Sequence, residues 1–211
     1  MRFFGKYERF ELSPNADTGQ ILSADNAVGD IYRIDIEIDK GEYTAWLINA
    51  FKKKIGYFDI TFSRELALLS AEGLTEKAIL SFIAYSADED NGVYWGEACV
   101  ICFDPAYGDE FNRFIKGVAG RISDDVRPKI DMNSQTAENI IASNGNWLPS
   151  QNIILPDQSK DLTYIKRRRR GMEKIIDQGR AHNKGCYVAS WAIILIFLFL
   201  VIYIVKSVLG L

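Results

Sequence analysis

From Cys186 to Val205 the chain runs for twenty residues without a formal charge, CYVASWAIILIFLFLVIYIV. At a rise of 1.5 Å per residue, a helix of that length measures about 30 Å, the thickness of a bilayer's hydrocarbon core. A helix satisfies its own backbone hydrogen bonds, as lipid demands, so the β-branched and aromatic residues of the run are tolerated there. Tyr187 and Trp191 stand near one end and Tyr203 near the other, where interfacial aromatics anchor a span. Only KSVLGL follows, which leaves nothing to bury the run as a core helix. The expectation is a transmembrane helix over 186–205 and a short tail over 206–211.

Charge sets the expected orientation. Residues 166–211 hold nine Lys and Arg against two acids, Glu173 and Asp177. The first 165 residues hold 16 basic and 26 acidic residues. The formal net charge of −3 therefore sums an acidic domain and a basic neck. Eight of the neck's cations precede the uncharged run and Lys206 alone follows it. The positive-inside bias then keeps the N-terminal domain in the cytosol. The opening MRFFGKYERFELSP has no apolar core long enough for a signal peptide. The predicted topology is tail-anchored and single-pass. Three cysteines are too few for a disulfide framework, which suits a reducing compartment.

Within the acidic domain, Tyr32, Ile34, Ile36 and Ile38 alternate with Arg33, Asp35, Glu37 and Asp39. That period of two predicts a strand over 30–39 with one wet and one dry face. Lys40-Gly41 reads as a turn into strands over about 43–51 and 54–60. Short turns between strands imply antiparallel pairing. Ser63 reads as the N-cap of a helix over 64–72, ended by Gly73. Strands follow over about 77–86 and 93–103, with Asn91-Gly92 as a hairpin turn. Asp104-Pro105 opens a second helix whose apolar face holds Phe111, Phe114, Ile115, Val118 and Ile122. A third, short helix is expected over about 135–144. Phe3, Phe4, Tyr7 and Phe10 suggest an edge strand, and residues 13–29 a loop.

The predicted fold class is α+β. An antiparallel sheet or partly closed small β-barrel is covered by two or three helices, with one C-terminal transmembrane helix added. The expected divisions are a cytosolic domain over 1–148, a linker over 149–161 and a basic juxtamembrane helix over 162–185. Leu162, Ile165, Met172 and Ile176 give that helix a broken three-four apolar spacing.

Catalytic motifs are scarce. Cys99 and Cys102 form a CxxC inside an apolar strand, where residues three apart point to opposite faces. Two small core residues fit that setting better than a redox pair at a helix N-terminus. His182, the one histidine, lies in the neck, so no zinc set or nucleophile–histidine pair is predicted. Asp88-Glu89-Asp90-Asn91-Gly92 lacks the ligand spacing of a calcium loop. No cofactor and no metal are expected.

The binding signals are of two kinds. Lys166, Arg167, Arg168, Arg169 and Arg170 beside a span are drawn to anionic headgroups, at about 1 kcal/mol each near the surface. Cys186, at the same boundary, is a candidate for acylation. Trp46, Tyr57, Tyr94 and Trp95 crowd the middle strands, and those facing outward form a candidate protein-partner surface.

Trp46 to Phe103 resembles a HIRAN domain. The likeness rests on Lys53-Lys54-Ile55-Gly56-Tyr57, followed by Leu66, Leu68, Leu69 and Gly73. The family's Asn-Pro-x-Asp-like element before the IGY step is replaced here by Asn49-Ala50-Phe51. The resemblance implies a small β-barrel of a kind associated with DNA processing and, in some members, with single-stranded DNA ends. The acidic balance of this domain repels a polyanion, so nucleic acid is not the favoured partner.

The expected function is a non-enzymatic interaction, adaptor or sensor module with an unidentified protein partner. One alternative is a membrane-localised enzyme acting on a lipid or small molecule, with a pocket holding two convergent acids or a metal. Another is an oligomerising membrane effector, for which Ala189 and Ala192 are the small residues within the span.

Overall fold

The alternating residues 31–39 form β2 (Ile31–Asp39), with Tyr32 and Ile34 buried and the charged residues between them exposed. The computed structural model to which it belongs describes residues 3–12, 21–23, 25–87, 92–130, 134–155, 162–169, 171, 173 and 195–197. Lys40 and Gly41 both take positive φ, 50° and 87°, the backbone that suits a tight hairpin's right-handed twist. The chain returns as β3 (Glu42–Ile48) and β4 (Lys54–Phe58). Later strands are β5 (Thr75–Ser86) and β6 (Val93–Phe103), and β1 is Phe3–Leu12.

Every pairing is antiparallel, and the order β2-β3-β4-β1-β6-β5 closes on itself through β2–β5 pairs at Ile31–Ile79, Tyr32–Ala78 and Arg33–Lys77. The result is a closed six-stranded barrel rather than a partly closed one. β1 is not an edge strand: it pairs along its length with β6 and, at Phe10–Leu12, with β4. Closure removes the edges that an open sheet would expose.

The barrel interior is a continuous apolar cluster that includes Phe10, Ala45, Leu47, Ile55, Phe58, Ala78, Leu80, Ile83, Ala98 and Cys102. Phe10 fills its centre because Gly56 and Gly96 face it. A Cβ at either glycine would collide with the Phe10 ring. Helix α1 (Ile60–Ala71) sends Phe62 and Leu66 into this same cluster.

Helix α1 starts before the position predicted for it. Its N-cap is Asp59, whose carboxylate accepts from the N–H groups of Thr61 at 2.7 Å and Phe62 at 2.9 Å. Ser63 is instead buried. It accepts the Ala45 N–H at 3.0 Å and donates to the Phe58 carbonyl at 3.0 Å, which ties α1 to β3. Gly73 has φ +87° and ends the helix as expected.

Asp104 caps a single 3-10 turn at Pro105–Tyr107, which leads into α2 (Gly108–Ser123). Phe111, Phe114, Ile115, Val118 and Ile122 pack on the outside of the barrel against Ile79, Cys99, Ile101 and Phe103. Helix α3 (Ser134–Ala142) adds Ala137 and Ile140 to that layer.

Two predicted divisions change. The linker expected over 149–161 belongs to the folded unit at least to Leu155. Asn152 bridges to Pro128, the Lys129 N–H donates to the Gln151 carbonyl, and Leu155 packs on Phe82 and Trp95. The basic helix expected from 162 begins as a strand, β7 (Leu162–Lys166), antiparallel to β5. β2 closes the barrel only on the first half of β5, so Ile83–Ser86 keep an open edge that β7 fills.

The chain divides into two compact units, Met1–Arg169 and Arg170–Leu211. The second is described only at 171, 173 and 195–197, all on helical backbone. Among the described residues no helix is long and apolar enough to cross a membrane. The uncharged run lies outside them except at Leu195, Ile196 and Phe197, whose side chains are exposed.

Candidate functional site

The basic segment singled out in the sequence is stitched onto the barrel. The turn Asn26–Asp30 provides three of the partners. Lys166 Nζ donates to the carbonyls of Ser23 at 2.7 Å and Asn26 at 2.9 Å. Arg169 donates through Nε to the Val28 carbonyl at 3.1 Å and pairs with Asp30. Arg167 pairs with Asp125 at 2.8 Å beyond the end of α2, and the Arg169 N–H donates to the Ser123 carbonyl. Arg168 is exposed. Arg170, Tyr187, Trp191 and Tyr203 lie outside the described residues, as does Cys186.

Several cations of the neck thus meet the domain's own acids and carbonyls. The complementarity follows from the charge split: an acidic body attracts a basic strand that also finds an open sheet edge. β7 adds apolar contacts, since Leu162 and Tyr164 cover Phe82, Ala84 and Trp95. Tyr164 meets Phe82 edge-on at 5.0 Å.

The same turn holds a second basic element. The buried Asn26 side chain accepts from Asn49 Nδ2 at 3.2 Å and from the Tyr32 hydroxyl at 3.1 Å. Asn49, itself buried, accepts from the N–H groups of Phe51 and Lys53 at 3.0 Å each. These bonds shape the β3–β4 loop, where Lys52 takes φ +62° and where Phe51, Lys52, Lys53 and Lys54 are all exposed.

The four candidate aromatics do not form one patch. Trp46 and Tyr57 are cross-strand partners on the outer face of β3 and β4, with rings 5.2 Å apart. Lys54 lies 4.4 Å over the Trp46 ring and pairs with Glu37 at 2.6 Å. Trp46 Nε1 is buried without a hydrogen-bond partner among the described residues. Trp95 belongs to the small cluster under β7, donates to Ser86 Oγ at 2.8 Å and carries Arg9 at 4.4 Å over its ring. Tyr94, one residue away and on the opposite face, packs on Tyr85 at 4.8 Å.

A polar cluster absent from the sequence reading lies between the barrel and the 126–155 segment. Arg127, 5 % exposed, pairs with Glu97 and donates to the Ile154 carbonyl at 2.9 Å. Its guanidinium sits 4.8 Å from the Tyr7 ring and 5.6 Å from the Phe82 ring. The Tyr7 hydroxyl donates to the Pro128 carbonyl at 2.9 Å. Burial pushes the Glu97 carboxyl up and the attraction of Arg127 only partly offsets it. Burial likewise raises the Tyr7 hydroxyl. One signal was available: Glu97 is the single charge in an apolar strand, which implies a buried cation opposite.

Cys99 faces α2 and Cys102 the barrel interior, so the CxxC does not converge. Burial raises both thiols, away from the thiolate that redox or metal chemistry uses. Residues 88–91 of the acidic turn lie outside the described residues. Among the described residues no three His, Cys, Asp or Glu side chains gather as a metal site. An open cleft of about 520 Å³ is lined by Ile31, Asp109, Asn112, Arg113, Ile115 and Lys116, and among the described residues it brings no two acids together.

No protein-family model matches this chain, and no characterised protein or solved structure shows significant similarity to it.

Proposed function

We propose that the chain is a single-pass membrane protein whose acidic barrel acts as a non-enzymatic interaction module at the cytoplasmic face. The observation that carries this reading is the twenty-residue uncharged run preceded by eight cations. The neck's docking supports it. With Lys166 and Arg169 held to the turn at 26–30, the folded unit reaches to Arg169, and only residues 170–185 connect it to the run. A module held by so short a connection works on partners that come to the bilayer. The Trp46–Tyr57 pair under Lys54 is its proposed partner surface, since it joins aromatic area to a cation on the outer face.

Alkaline carbonate extraction of membranes from expressing cells tests the anchor. The full chain is expected in the pellet and a chain ending at Arg169 in the supernatant, folded by circular dichroism. Full-length protein in the carbonate supernatant would remove the reading.

A further inference from the structure

We propose that the β3–β4 loop, with Phe51, Lys52 and Lys53 at its tip, is a headgroup-binding element that docks the barrel onto an anionic bilayer beside the neck. The proposal rests on the membrane-anchored reading above and adds a lipid contact far from the neck in sequence.

The turn Asn26–Asp30 joins the two basic elements. Its Asn26 side chain holds Asn49 and hence the loop, while its Asn26 and Val28 carbonyls and Asp30 carboxylate hold Lys166 and Arg169. The loop therefore stands close to the place where the chain leaves the folded unit. Lys166 and Arg169 spend their donors on the domain, whereas the side chains of Lys52 and Lys53 are exposed at the tip of a built loop. The backbone there does not have to order on contact, because Asn49 accepts from both Phe51 and Lys53 and the Asn49 N–H donates to the Lys53 carbonyl at 3.1 Å. Phe51, 47 % exposed, adds an apolar group beside the cations. That pairing suits the boundary between headgroups and acyl chains. Lys52 and Lys53, on a domain with a net negative charge, also orient it, since an anionic surface repels the remainder.

The test footprints lysines on the full-length protein in vesicles, using a membrane-impermeant amine reagent read by mass spectrometry. One set of vesicles is phosphatidylcholine alone, and the other also contains phosphatidylserine. Lys40, at the hairpin on the far end of β2 and β3, and Lys116, on α2, serve as internal references. Modification of Lys52 and Lys53 is expected to fall about fivefold or more on the anionic vesicles, the factor for one basic residue's attraction to such a surface. Lys40 and Lys116 should not change. The variant K52E should abolish the lipid-dependent protection at Lys53 and still resist carbonate extraction. Equal modification on both vesicles, with the protein resistant to carbonate, overturns the loop proposal and leaves the anchor standing. Release by carbonate overturns the anchor and this proposal with it. Protection by a single-stranded oligonucleotide on neutral vesicles, with none from phosphatidylserine, assigns the loop to nucleic acid and also overturns it.

Discussion

Glu97 and Arg127 stand thirty residues apart in the chain and meet where almost no water reaches them. Each makes the other's burial tolerable. Removing one partner of such a pair strands a charge in a poor solvent, at a cost of about 3–5 kcal/mol. Arg127→Met is therefore expected to lower the unfolding free energy of the 1–169 fragment by that order in urea. Adding Glu97→Gln should recover part of the loss, because the stranded carboxylate is gone. Additive losses in the two variants would show that the pair is not coupled. Half of this cluster has a local signature, since Glu97 is the lone charge of an apolar strand, but nothing local to Arg127 marks it as buried. Its neighbours come from β1, β6 and the 152–154 segment, so its environment exists only once the chain has folded.

At the scale of elements, the start of α1 shows how two good candidates compete for one role. Ser63 and Asp59 are both residue types that cap helices. The barrel decides between them, because β4 ends at Phe58 and Ser63 is needed to satisfy the Ala45 N–H. Asp59→Ala should cost about 1 kcal/mol, the usual value of a cap. Ser63→Ala leaves a buried N–H unpaired and should cost about 1–3 kcal/mol. Urea midpoints of the two variants check the order, and a negligible effect at Ser63 would show that its hydroxyl does not satisfy the Ala45 N–H. β7 is a comparable case. Leu162 and Ile165 fit a helical spacing, while Leu162, Tyr164 and Lys166 fit an alternating one. Five residues cannot separate the two periods. The open half of β5 separates them, by offering hydrogen bonds that only an extended segment can take.

For the whole molecule, burial of acids makes stability depend on pH in a stated sense. Burial raises the Glu76 carboxyl above its ordinary value of 4.5, and a bond from Ser70 and the attraction of Lys77 oppose it. The folded state then holds that proton more tightly than the unfolded chain does. Its contribution is present at low pH and is lost as pH rises from the ordinary glutamate value through the raised one. Glu97 acts in the same direction. Glu76→Gln should flatten the decline of stability over that interval, measured by denaturation of the 1–169 fragment at a series of pH values. An unchanged slope would mean that Glu76 is solvated when folded. Local patterning alone specifies the alternation that makes β2, the apolar face of α2, the α+β class and the uncharged run. Each of these is a local pattern whose period or length is imposed by backbone geometry alone. Closure of the barrel, the central place of β1, the ionic lock at Arg127 and the capture of the basic strand emerge only from long-range packing. They depend on which edge is left unpaired and which charge is left unsolvated, and neither quantity exists until distant segments have met.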